Sequence, residues 1–346
     1  MALWAFALLG WRRTLVLAVL LLAASFVAGF ILRDRMPWQS DPRPELFSQT
    51  DGVLGVYVLP DDGREPILRE IEAAQTSVTL QVYLLGDEVI IDALVAAVDR
   101  GVDVRVLLEE HPFGGAGTEE EIYDRLERNG VAVRWGDPVF RFSHVKTFVL
   151  DRHVAIIMNQ NLTRSSFDQN REFFAITTRS DEVRQAAMIF DADWNRTGAE
   201  IDGPLLVSPV NSRTELLGLI DGATETLDIY AEVVRDEAVV AALSAAERRG
   251  VAVRIIVSPD SAANDRGQAE RASLARAGAE IIEARGFYIH AKMILADDAR
   301  LYIGSQNFTA TSLDLNREIG LLIEEPHGIA RAAATFDADF TDGRAD

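Results

Sequence analysis

A chain that carries one pattern twice has to build one unit twice, and self-similarity is the feature that most constrains this sequence. The stretch from about residue 55 to 197 returns from about 204 to 342. VLPDDGREPILREI (58–71) matches VSPVNSRTELLGLI (207–220), and RGVDVRVLL (100–108) matches RGVAVRIIV (249–257), both 149 residues on. From His144 onward the spacing is 146. The three-residue shortening falls where the first copy carries HPFGGAG (111–117), as expected of a surface loop. Like halves commonly pack about a pseudo-two-fold axis, which brings equivalent loops together and predicts one site with paired ligands.

Each copy reads as alternating elements. SVTLQVYLL (77–85) alternates like a strand, EVIIDALVAAVDRG (88–101) has a helical pattern closed by glycine, and VRVLL (104–108) is a short β-branched run. Thr118 followed by Glu121 predicts a capping box that opens the helix EEEIYDRLERNG (119–130). Strand and helix in alternation predict an α/β layered sheet in each half, joined through RTGAEIDGP (196–204).

The chemistry-bearing residues also come in pairs. The first copy has His144-Val145-Lys146, then Asp151, Gln160-Asn161 and Asn170-Arg171-Glu172; the second has His290-Ala291-Lys292, Asp297, Gln306-Asn307 and Asn316-Arg317-Glu318. Every interval is the same in both. Of the 34 basic residues only Lys146 and Lys292 are lysine. A general preference for arginine does not explain why both survivors stand two residues after a histidine, so those positions require a compact ammonium rather than a planar guanidinium.

In these residues the sequence resembles the phospholipase D superfamily, whose signature is H-x-K-x4-D-x6-G-[GS] with a downstream Asn and acidic residue. HAKMILADDARLYIGSQN (290–307) fits it fully, and the likeness covers about residues 55 to 342. It implies two phospholipase D-like α/β/α halves about a pseudo-two-fold axis. The first copy departs at one point, with Met158-Asn159 where the second has Gly304-Ser305. A larger side chain beside the phosphate is expected to narrow the pocket and alter substrate preference, or to mark a relic site.

Residue types support phosphodiester chemistry. A phosphodiester is an anion, so attack on it needs positive surroundings and a proton donor for the departing alkoxide. One histidine can attack phosphorus and form a covalent intermediate; the other can protonate the leaving oxygen and then activate water or an alcohol. Lys146 and Lys292 are expected to hold nonbridging oxygens by charge, with Asn161 and Asn307 adding directed hydrogen bonds. Residue types leave the two histidine roles interchangeable. The resemblance implies His144 as nucleophile, His290 as general acid, and Glu172 and Glu318 as the carboxylates that orient the rings. Asp151, Asp297 and Ser305 read as supports of the motif loops. No metal or other cofactor is implied, and HPFGGAG lacks the Lys-Ser/Thr of a nucleotide-binding loop. The paired endings FDADW (190–194) and FDADF (336–340) read as a buried helix face with exposed acids.

Residues 14–32 run 19 positions without charge, flanked by Arg12, Arg13, Arg33 and Arg35 and by Trp4, Trp11 and Trp38. At ~1.5 Å per residue this approaches the ~30 Å hydrocarbon thickness, so residues 1–35 read as a single-pass membrane anchor rather than a cleaved signal, and 36–54 as a tether. Arginines on both sides leave the orientation open. A net charge of -20 argues against long nucleic acid as partner. A phospholipid, with water or an alcohol as acceptor, is the expected substrate. A nuclease using a groove of Arg141, Arg164, Arg171 and Arg317 is the alternative, and a noncatalytic headgroup-binding protein a third. Absence of cysteine removes thiolate chemistry and disulfides.

Overall fold

The computed structural model describes residues 52–114, 117–198, 201–259 and 267–344. The expected anchor, and the tether up to residue 51, lie outside the described residues. No helix among those described is long and apolar enough to cross a membrane.

The first half runs β1 (Val53–Leu59), α1 (Glu65–Ala73), β2 (Ser77–Val82), α2 (Glu88–Asp99), β3 (Asp103–Leu108), α3 (Glu119–Arg128), β4 (Ala132–Trp135), β5 (Lys146–Leu150), β6 (Val154–Met158), α4 (Arg164–Asp168), β7 (Asn170–Thr177) and α5 (Ser180–Asn195). The second half runs β8 (Leu206–Ser208), α6 (Ser212–Asp221), β9 (Thr226–Ala231), α7 (Glu237–Arg249), β10 (Ala252–Val257), α8 (Gln268–Ala277), β11 (Glu280–Glu283), β12 (Tyr288–Ile289), β13 (Lys292–Ala296), β14 (Arg300–Gly304), α9 (Ala310–Asp314), β15 (Glu318–Ile323) and α10 (Pro326–Arg344). The sheets have the same order, β1-β7-β6-β5-β2-β3-β4 and β8-β15-β14-β13-β9-β10-β11. Parallel pairing of β2, β3 and β4 follows from their helical crossovers, while β5, β6 and β7 add antiparallel, β5 and β6 through a tight turn and β6 and β7 through the segment that carries α4. The expected α/β halves are therefore present as two mixed sheets.

Three cores explain why the central strands read as continuous apolar runs. Every residue of β5 and β6 is buried. Alternation sends Phe148 and Ile156 outward, under Ile67, Ile91 and Leu126 of α1, α2 and α3. Val149, Ala155 and Ile157 turn inward, into a core shared with Met293, Leu295 and Ile303 of the other sheet and with α5 and α10. An equivalent outer core lies under α6, α7 and α8.

Helix starts are duplicated as well. The Asp87 side chain accepts from Ile90 N at the head of α2, and Asp236 from Ala238 N and Val239 N at the head of α7. Arg64 clamps Asp87 as Arg213 clamps Asp236. The expected capping box at Thr118 does not form: its backbone (φ -106, ψ 6) is not the extended form a cap needs, and its hydroxyl makes no cap bond. Glu119, Glu120 and Glu121 instead place negative charge at that helix start.

Candidate active site

Strand register builds the site. Lys146, first residue of β5, pairs with Val82, the last of β2; Lys292 pairs with Ala231, the last of β9. Each histidine precedes its lysine by two residues, at the mouth of the sheet. Each motif aspartate lies just past the other end of the same five-residue strand, about 16 Å away at ~3.3 Å per residue. Asp151 accepts from the backbone N–H groups of Gln75, Thr76 and Ser77, and Asp297 from those of Thr224, Glu225 and Thr226. Both adopt positive φ, 51° and 54°, to turn the chain there. These bonds outweigh burial and lower both carboxyl pKa values, that of Asp297 to about 2.

The two copies interlock through their Asn-Arg-Glu segments, and the pairing is crossed. His144 Nδ1 lies 2.7 Å from Glu318 Oε2, and His290 Nδ1 lies 2.8 Å from Glu172 Oε2. Each half thus orients the other's ring. Backbone bonds hold the crossing in place, His144 N donating to Arg317 O and His290 N to Arg171 O, with β12 parallel to the start of β7. Both carboxylates are fully buried and carry further donors, Asn170 Nδ2 on Glu172, and Asn316 Nδ2 with the Ser312 hydroxyl on Glu318. A carboxylate fixed at Nδ1 sets the orientation of each ring and leaves Nε2 as its other polar atom.

The intervening arginines cross too. Arg171 forks onto Asp339 of α10 at 2.7 and 3.0 Å, and Arg317 onto Asp193 of α5 at 3.0 and 2.9 Å. This corrects two expectations. Arg171 and Arg317 are buried structural locks rather than part of a basic groove, and the second acid of each FDAD segment is largely buried to receive them rather than exposed.

Burial governs the titration of the first motif. Burial lowers the pKa of His144 to about 4, against the raising pull of Glu318, so the ring is neutral at pH 7 with its lone pair on Nε2. Burial likewise lowers Lys146 to about 7, with Glu318 opposing and Lys292 adding to it. For Glu318 burial raises the pKa, but His144, Lys146 and Ser312 outweigh it and the group ends lowered. Lys292 bears electrostatically on both His144 and Lys146, which puts the ammonium of the second motif near the first.

Two residues at the mouth escaped the motif reading. Tyr83 and Glu232, each one position beyond the strand end that faces a motif lysine, are equivalents at the 149-residue spacing. Tyr83 packs edge-on against His144 with centroids 4.4 Å apart, and the Lys146 ammonium lies 5.0 Å over its ring. Glu232 Oε2 instead accepts from Lys292 Nζ at 2.8 Å and lies 3.4 Å from His290 Nε2. Comparing the copies residue by residue at that strand end was the signal that could have found them.

The departure in the first motif is a repacking of the scaffold. Met158 is fully buried with Ile156 and Phe174 in the outer core of the first half, so it does not narrow the pocket. A Cβ at Gly304 would meet Tyr302 and Gly320, whose equivalents in the first half are Ile156 and Phe174; volume has been exchanged among three neighbours. Asn159 Oδ1 accepts from Phe173 N as Ser305 Oγ accepts from Ile319 N. Asn161 and Asn307 follow β6 and β14, each with an Oδ1 that has no hydrogen-bond partner among the described residues.

Comparison with known proteins adds to this geometry. A family model described as "Cardiolipin synthase, PLD-like domain" matches residues 67–194 and again 216–341, once per half. The cardiolipin synthase of Oceanobacillus iheyensis is 24% identical over 344 residues, covering 85% of this chain and 70% of that protein. Cardiolipin synthase B of Escherichia coli K12 is 26% identical over 307 residues, 75% of this chain and 74% of that protein. The crystal structure of phosphatidylserine synthase from Haemophilus influenzae Rd KW20 shares the fold, with a TM-score of 0.66 over 84% of this chain and 88% of that chain at 13% identity.

Proposed function

The chain belongs to the phospholipase D-like family of cardiolipin synthases, and from that premise we propose that it cleaves or transfers phospholipid headgroups through a covalent phosphohistidine at a membrane. The observation that carries this reading is the crossed pairing of two buried carboxylates with the two motif histidines. Neutral His144, with Nδ1 held by Glu318, attacks phosphorus through Nε2. The bond from phosphorus to the leaving oxygen breaks as His290 delivers a proton to it. In the second half-reaction His290 takes the proton from water or an acceptor alcohol, whose oxygen bonds phosphorus as the N–P bond breaks. Lys146 and Lys292, with Asn161 and Asn307, hold the nonbridging oxygens, where loss of one such donor typically costs about 3–4 kcal/mol of barrier stabilisation.

Support for lipid over nucleic acid comes from the net charge of -20 and from Arg171 and Arg317 being committed to aspartates. The noncatalytic reading loses its motive, because Met158 packs in the core and Asn159 does the work of Ser305. Residues 14–32 are the proposed anchor. Full-length protein mixed with phosphatidylglycerol and phosphatidylethanolamine vesicles is expected to release or exchange headgroups, with His144→Ala and His290→Ala each abolishing turnover. Rapid quenching should trap an acid-labile phosphohistidine in the unaltered chain. Efficient cutting of single-stranded DNA with intact lipid would refute the reading.

A further inference from the structure

The reacting phosphorus meets one histidine on each side, yet the two mouths differ in a matched pair of positions. On the His144 side Tyr83 packs against Phe142, ring to ring, with centroids 5.8 Å apart. On the His290 side the equivalents are Glu232 and Tyr288, and the Tyr288 hydroxyl donates to Glu232 Oε1 at 3.1 Å. Both members of the contact have changed together. An aromatic pair has become a carboxylate with a phenol that supports it.

Glu232 sits within 3.4 Å of His290 Nε2, the atom that serves the leaving and accepting oxygens. A carboxylate there repels the nonbridging oxygens of a phosphodiester, so its useful partner is the alcohol portion. Carboxylates only accept hydrogen bonds, and a charged donor binds them about twice as strongly as a neutral one. This carboxylate already holds a primary ammonium, that of Lys292, at 2.8 Å. When the phosphate draws Lys292 onto its oxygens, the carboxylate can turn to a substrate ammonium.

We propose that Glu232, supported by Tyr288, is a specificity-determining residue that selects alcohols bearing an ammonium group close to the reacting oxygen, as leaving headgroup or acceptor. The inference rests on the headgroup-transfer reading and narrows it to amino-alcohols over polyols.

The test compares ratios. Full-length protein is assayed on vesicles of phosphatidylethanolamine and of phosphatidylglycerol, with ethanolamine or glycerol as acceptor. The unaltered chain is expected to favour the amino-alcohol at least tenfold in kcat/KM, and Glu232→Gln to bring the ratio near one. A neutral ratio or a glycerol preference in the unaltered chain overturns the inference. So does an equal loss on both lipids in Glu232→Gln, because a purely structural or proton-handling role predicts that pattern. In each of those cases transfer itself stands. If no lipid turns over, the transfer reading fails and binding decides the inference. His144→Ala is then expected to bind glycerophosphoethanolamine at least tenfold more tightly than glycerophosphoglycerol, and to lose that difference when Glu232→Gln is added. Equal affinities overturn it.

Discussion

The first half places His144 against an aromatic ring with one carboxylate behind it, whereas the second places His290 between two carboxylates, Glu172 at Nδ1 and Glu232 near Nε2. Sheet order, register and the crossed Glu and Arg contacts are otherwise duplicated. Duplication thus supplies a symmetric frame, and a few side chains at the strand ends make its two arms unequal. One arm keeps a neutral ring with an available lone pair, which suits attack. The other sets a carboxylate at each ring nitrogen, an arrangement that suits the donating role proposed for His290. The sharpest way to break this comparison is to remove the crossed carboxylates one at a time. Glu318→Gln and Glu172→Gln are each expected to lower kcat by roughly 10³-fold or more, as when a ring loses the carboxylate that fixes its tautomer. They should part company on a diester with a p-nitrophenol leaving group, which departs without a proton. Such a substrate is expected to rescue Glu172→Gln and not Glu318→Gln. Equal rescue of both would make the arms interchangeable.

The arginine locks are symmetric in sequence but not in burial. Asp193 is 4% exposed, and burial raises its pKa against the lowering effect of Arg317. Asp339 is more open, and Arg171 has a second acid in Asp61 at 3.1 Å. Removing one partner of a buried pair strands a charge, at about 3–5 kcal/mol. Asp193→Asn is therefore expected to lose about 3 kcal/mol in denaturant unfolding, and Asp339→Asn clearly less, because Arg171 keeps Asp61. A larger loss for Asp339→Asn would reverse the ranking.

Much of this was legible in the sequence, for reasons the residues make plain. Two copies of one motif at constant intervals predict two like halves, and apolar runs bounded by turns predict strands such as β5 and β6. Crossing was not legible. Glu172 stands 28 residues after His144 and Glu318 stands 28 after His290, so spacing looks the same whether a carboxylate serves its own ring or the other. Nor could local pattern reveal that Asp193 and Asp339 face inward, because their partners are 124 and 168 residues away. Met158 misled because a motif position was read as a pocket position, when its side chain belongs to the core.

A milder probe of the same asymmetry is pH. Burial lowers Lys146 from 10.5 to about 7, so its ammonium is present below that pH and is lost as pH rises through it. Burial lowers His144 from 6.5 to about 4, so its ring is neutral and available at any higher pH. The free-enzyme profile of kcat/KM is therefore expected to hold between about 4 and 7 and to fall roughly tenfold per unit beyond. Tyr83→Glu would give Lys146 the partner that Lys292 has in Glu232. Opposite charge favours the ammonium, so the alkaline edge should move up by about one unit or more. An unmoved edge would remove Lys146 as its source.

The smallest expected effect comes from a pair of glutamines one residue before the site asparagines. In the second half Gln306 Oε1 accepts from the Tyr302 hydroxyl at 2.6 Å, and its Nε2 donates to Ser212 Oγ and Leu206 O. The equivalents of Tyr302 and Ser212 in the first half are Ile156 and Gly63, so Gln160, fully buried, has lost both side-chain partners. Neither of its amide atoms has a hydrogen-bond partner among the described residues. An unsatisfied buried polar group costs about 1–3 kcal/mol, whereas an apolar group of like shape avoids that cost. Gln160→Leu should therefore raise unfolding free energy by about 1 kcal/mol, while Gln306→Leu, which strands Tyr302 and Ser212, should lower it by a comparable or larger amount. The opposite signs make the test independent of any general tolerance of leucine there. If Gln160→Leu destabilises the fold, its amide has work at the adjacent Asn161 loop, and the first half retains a polar duty that its repacking conceals.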